Sequence, residues 1–283
     1  MPAACRAQNC TTNVSAEIQQ QMRLGTKEIL FYVGTARFTL VRLPPGEFDL
    51  GAPQSEAHAG DAARPVRHIR ITKPFYLGTT EVSQRQYREV MKGRHIRDEL
   101  FFSGTPAEPQ IQHREVIGEH LTSFQGDDLP VEGLTFVQTR RFCDTLSEKI
   151  GVSVSLPTEA QWEYACRAGT KTPYYSGDKI EDLNAIAWFE KNSNDATHPV
   201  GLKAPNRWGL YDMLGNVWEP CSDRLSNYDS IADTDPVGEL RPVFGIMRGG
   251  CWHDSPENCR AASRMLAHDS YGGMGLRIAI QSP

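Results

Sequence analysis

From Gly169 onward, glycine cuts the chain into short segments, among them Trp208-Gly-Leu-Tyr211, Leu214-Gly-Asn-Val-Trp218 and the pair Gly249-Gly250, leaving little room for long helices or strands. Apolar residues still make up 39% of the 283 positions, enough for a core. A core combined with 24 Gly and 18 Pro indicates a loop-rich globular protein of mixed helix and strand, and argues against a coiled coil or a disordered chain.

The formal charge of -5, with no dense basic block, lacks the electrostatic footprint of a nucleic-acid binder. No stretch reaches the ~20 apolar residues needed to span a bilayer, and the start MPAACRAQNC has no apolar signal segment, so the expectation is a cytoplasmic protein without a membrane partner. The seven Cys (Cys5, Cys10, Cys143, Cys166, Cys221, Cys251 and Cys259) are scattered and odd in number, which suits buried free thiols better than a disulfide framework.

Residues 1–15 show no convincing periodicity, so 1–27 reads as a partly mobile lead-in to a single domain over 28–283. The alternation in Glu28–Val33 and Arg37–Leu43, joined through Gly34 and Thr35, predicts a hairpin. Helices are predicted near 83–92, 136–149 and 158–167. The first and third open on capping-box spacings (Ser83 with Gln86, Thr158 with Gln161), and Thr135 is placed to cap the second. Residues 93–128 are polar and aperiodic, which marks an insertion or lid.

The segments Leu156–Gly169, Gly209–Glu219, Met247–Trp252, Cys259–Arg264 and Gly275–Ala279 occur in an order that resembles the formylglycine-generating enzyme family, also called sulfatase-modifying factor domains. The resemblance covers about residues 38–280 and implies an α+β, elaborated C-type-lectin-like fold with little regular secondary structure. The family includes copper-dependent oxidases that convert a sulfatase cysteine to formylglycine, iron-dependent sulfoxide synthases and binding modules, so the fold leaves the function open. The iron-dependent relatives draw histidines from an extra helical domain, for which this chain has no matching His-rich helix.

The oxidases follow their Gly-Gly pair with Ser and then place two copper-binding cysteines five residues apart. On this chain those positions read as Cys251, Asp254 and Cys259. Cuprous ion prefers soft thiolates and a carboxylate is a poor replacement, so copper in the family's arrangement is not expected, although Cys251 is a candidate substitute donor. The resemblance makes Cys259, Cys251 and Asp254 the candidate catalytic residues. It also makes Trp252, His253 and Arg264 the candidate lining of a ligand cleft. The family's loop at Gly215-Asn-Val-Trp-Glu219 binds calcium through oxygen donors, which Asn216 and Glu219 would supply here. Apart from that cleft, Trp162, Trp218 and Trp252 read as core, and Arg248, Arg260, Arg264 and Arg277 as internal hydrogen-bonding residues. Two functions compete. One is an oxygen-using oxidoreductase acting on a protein or small-molecule thiol, and the other is a module that binds a peptide, protein or ligand without chemistry.

Overall fold

The structure, a computed structural model, describes residues 7–56, 58–93, 122–223, 228, 231–237, 245–266 and 272–282, the side chains of 7–13 and 61 excepted. Strands β1 (Glu28–Val33) and β2 (Ala36–Leu43) form the predicted antiparallel hairpin, in register from Glu28↔Val41 to Val33↔Ala36. Alternation sends Ile29, Phe31 and Val33 inward, where Phe31 stacks on Phe38 at 5.1 Å. Strands β3 (Gly46–Leu50) and β4 (Arg67–Ile71) make a separate pair. The hairpin grows into a four-stranded antiparallel sheet of order β1-β2-β5-β9, with β5 (Phe75–Gly78) between β2 and β9 (Ala279–Gln281). The last strand thereby forms the edge of this sheet opposite β1. Between them, β6 (Glu219–Pro220), β7 (Ile246–Arg248) and β8 (Met265–Leu266) form a small sheet, where the glycine-cut segments lie.

Helices α2 (Gln84–Met91), α3 (Phe136–Ile150) and α4 (Glu159–Arg167) stand where they are predicted. Each starts on a full capping box, Ser83 with Gln86, Thr135 with Gln138 and Thr158 with Gln161, so two otherwise orphaned N–H groups are satisfied locally at each end. The predicted stripe of α3 is buried, including Phe136, Phe142, Leu146 and Ile150.

The lead-in differs from its reading as an aperiodic segment. Helix α1 (Ala7–Arg23) covers most of it and docks on β1 and α3. Ile18 and Met22, one turn apart, are buried, and Ser15 Oγ donates to Gly151 O at 3.0 Å. Two buried apolar residues among the described side chains of a Gln-rich helix make a stripe too thin to register as a periodicity. Residues 94–121 of the expected insertion lie outside the described residues. The part that is described, 122–128, is tied to α2, with Gln84 donating to Phe124 O at 2.8 Å and Arg88 paired with Asp127.

Two large apolar clusters flank the central sheet, one around Trp162, Phe189 and Leu214, the other around Phe38, Tyr76 and Phe142. Arginines carry charge into this interior: Arg248 meets Glu163, Arg260 meets Glu56 and Arg277 meets Glu219.

Candidate functional site

Strand β7 runs into Gly249 and Gly250, both left-handed at φ +98° and +78°. A Cβ on Gly250 would lie 2.6 Å from Cys259 Sγ, so the chain passes over that thiol only as glycine. Residues 251–254 then form a turn closed by Asp254 N–H donating to Cys251 O at 3.0 Å. The turn folds the Asp254 carboxylate back beneath the chain. Its Oδ2 accepts from Trp218 Nε1 at 2.7 Å, Cys251 N at 3.0 Å and Cys251 Sγ at 2.9 Å. Its Oδ1 accepts from Asn258 Nδ2 at 3.1 Å.

His253 is exposed at the mouth of the turn, with Nδ1 3.3 Å from Cys251 Sγ. Trp252 is half-buried, edge-on to Phe124 at 5.4 Å and to His253 at 4.5 Å. The structure thus brings Cys251, Trp252, His253 and Asp254 together at one place.

Cys259 and Arg264 do not join them. Cys259 is fully buried in the Trp162 cluster, whereas Cys251 belongs to a smaller cluster with Trp218, Met247 and Met274. Burial pushes both thiols up, and the neighbouring Asp254 pushes them further, so both are protonated near neutral pH. Arg264, expected in the cleft, has a side chain only 2% exposed. It grips Glu159 with Nε at 2.6 Å and Nη2 at 2.8 Å and lies 4.0 Å over the Tyr228 ring. Its partner sits 105 positions away, which no local pattern reveals.

Two metals implied by the family resemblance meet this donor chemistry. Cuprous copper at positions 254 and 259 does not fit, because a hard carboxylate stands where a soft thiolate is needed and the Cys259 thiol is sealed in the core. Calcium shared by Asn216 and Glu219 does not fit either. The Glu219 carboxylate closes on Arg277 (2.7–3.0 Å) and Trp162 Nε1 (2.7 Å). The Asn216 amide instead accepts from His198 N at 3.0 Å and donates to Glu81 at 2.7 Å.

Of the buried acids around Arg277, sequence reasoning missed Glu81 and Asp212 and took the third, Glu219, for a calcium donor. Asp212 is pushed from 3.8 up to about 6, by burial first and also by Glu219, against the pull of the Gly201 N–H and Arg277. A folded value above the unfolded one means that Asp212 contributes most below about pH 4 and that its contribution is lost as pH rises through about 6. Two pH units at about 1.4 kcal/mol each make this about 3 kcal/mol. Urea unfolding should show the wild type losing stability relative to Asp212→Asn, by that order, as pH rises from about 4 to above 6. Parallel curves would refute it.

Comparison with known proteins agrees with this architecture. The sequence model of the sulfatase-modifying factor enzyme 1-like domain matches residues 35–282. The formylglycine-generating enzyme of Streptomyces coelicolor is 28% identical over 84% of this chain and 88% of its own length. The inactive C-alpha-formylglycine-generating enzyme 2 of Bos taurus is 26% identical over 77% of each. Among solved structures, PvdO from Pseudomonas aeruginosa superposes with a TM-score of 0.74 at 24% identity, covering 89% of this chain and 98% of that one, a likeness of fold. With a match running from the first hairpin to the final strand, the chain belongs to the sulfatase-modifying factor enzyme 1-like domain family.

Proposed function

We propose that this chain is a divergent member of the family whose face at Trp252 and His253 binds a peptide or protein segment, and that it does not convert cysteine to formylglycine. One observation carries the reading. Both thiols of the segment are buried and protonated, and a carboxylate, a hard donor, stands at the first copper position. Copper-dependent oxidation asks for two accessible soft ligands, and neither position offers one. The Bos taurus relative bears the word inactive in its name, so loss of the conversion has a parallel on this fold. This face carries a half-buried indole and an exposed imidazole, a combination suited to one apolar and one polar contact with an extended peptide.

The test is anaerobic titration of the reduced protein with cuprous ion, followed by oxygen exposure with a cysteine-containing sulfatase-motif peptide. The expected result is no Cys259-dependent copper and an unchanged peptide. Peptide-dependent formylglycine formation abolished by Cys259→Ser would overturn the reading. On the binding side, a peptide selected against the wild type should lose most of its affinity for Trp252→Ala, and retention of affinity would count against this face.

A further inference from the structure

We infer that Cys251, His253 and Asp254 form a binding site for one borderline divalent metal ion of the zinc type. Cys251 Sγ lies 3.3 Å from His253 Nδ1 and 2.9 Å from Asp254 Oδ2, and the three donor atoms all fall within 4.8 Å of one another. Around a tetrahedral zinc ion, sulfur at ~2.3 Å and nitrogen or oxygen at ~2.0–2.2 Å stand about 3.6 Å apart. The nitrogen contact is close to that spacing already, and the oxygen contact opens to it when the thiol proton leaves. Soft sulfur, imidazole nitrogen and carboxylate oxygen together suit zinc or cobalt(II) rather than calcium or cuprous ion.

The surroundings are built as a metal's outer shell is built. Trp218 Nε1 and Cys251 N donate to Asp254 Oδ2 and Asn258 Nδ2 to Oδ1, which orients the carboxylate, and the turn closed between Cys251 O and Asp254 N fixes the spacing of the ligands. Gly273 leaves room beside them, since a Cβ there would lie 2.8 Å from Cys251 Sγ and 3.3 Å from His253 Cε1. Two of the three ligands are buried, while the exposed His253 opens the site to solvent. Three protein ligands leave a fourth position for water or a donor atom of a bound molecule. Binding releases the Cys251 thiol proton to solvent, so affinity rises with pH.

The experiment is titration of the reduced, chelator-treated full chain with cobalt(II), followed by displacement with zinc. The expected result is one equivalent of cobalt, a thiolate-to-cobalt charge-transfer band with four-coordinate visible bands, and loss of both on adding zinc. Cys251→Ser should abolish the charge-transfer band. Because His253 is exposed, His253→Ala should fold normally and bind cobalt at least about tenfold more weakly, since even outer-shell partners are worth that much. The band should persist in the double variant Cys5→Ser, Cys10→Ser. No band at one equivalent, a band that survives Cys251→Ser, affinity unchanged in His253→Ala, or a band lost with Cys5 and Cys10 would overturn the site.

Discussion

Replacing Arg277 by Met is expected to destabilise the fold by about 3–5 kcal/mol, because breaking a buried ion pair from one side leaves its partner charge without compensation. Arg277 is fully buried and joins three parts of the chain. It donates to Glu219 through Nε and Nη2, to Gly78 O at 2.8 Å and to Tyr211 O at 2.8 Å, linking β6, the end of β5 and the loop before Asn216. Its removal would strand Glu219 beside Glu81 and Asp212, two further acids in the same interior. The double variant Arg277→Met, Glu219→Gln should regain part of the loss, since Glu219 is then no longer stranded as a charge. Urea unfolding of the single and double variants checks this. A loss below about 1 kcal/mol in Arg277→Met would show that the pair contributes little beyond the hydrophobic core.

The same residues mark where sequence reading succeeds and where it stops. The three capped helices are legible because a capping box is closed between residues three apart, as in Thr158 with Gln161. The hairpin is legible because alternation in Glu28–Val33 states which face is buried. Arg248, Arg260 and Arg277 read correctly as internal, yet their acids lie 85, 204 and 58 positions away, beyond any local pattern. That distance explains the misreading of Glu219. Taken with Asn216 it looks like a calcium donor, but its charge is answered by an arginine in the final segment. Arg264, read both as internal and as cleft lining, proves internal, held by an acid 105 positions away. The grouping of Cys251, His253 and Asp254 is half legible. Their adjacency is plain in the sequence, but only the turn that bends Asp254 back toward Cys251 brings the three donor atoms together.

Asp254→Cys, which would place a thiol at the first copper position of the resembling oxidases, is expected to destabilise the protein and to create no formylglycine-forming activity. In the wild type, Trp218 Nε1 and Cys251 N are buried donors that both end on Asp254 Oδ2. A cysteine side chain is shorter than aspartate and its sulfur accepts weakly, so both donors lose a good partner. Each orphaned donor costs about 1–3 kcal/mol, which puts the variant about 2–6 kcal/mol below the wild type. The new thiol also gains no copper partner, because Cys259 stays in the Trp162 cluster beneath Gly250, where a backbone that tolerates no Cβ covers it. Asp254→Asn keeps one oxygen to accept from these donors and should lose less. The measurement is thermal and urea unfolding of both variants in chelator, which removes any metal contribution to stability, together with the peptide assay under copper. An Asp254→Cys protein as stable as the wild type, or one that oxidises the peptide, would mean that the carboxylate is not the anchor of the turn and that the oxidase site lies one substitution away.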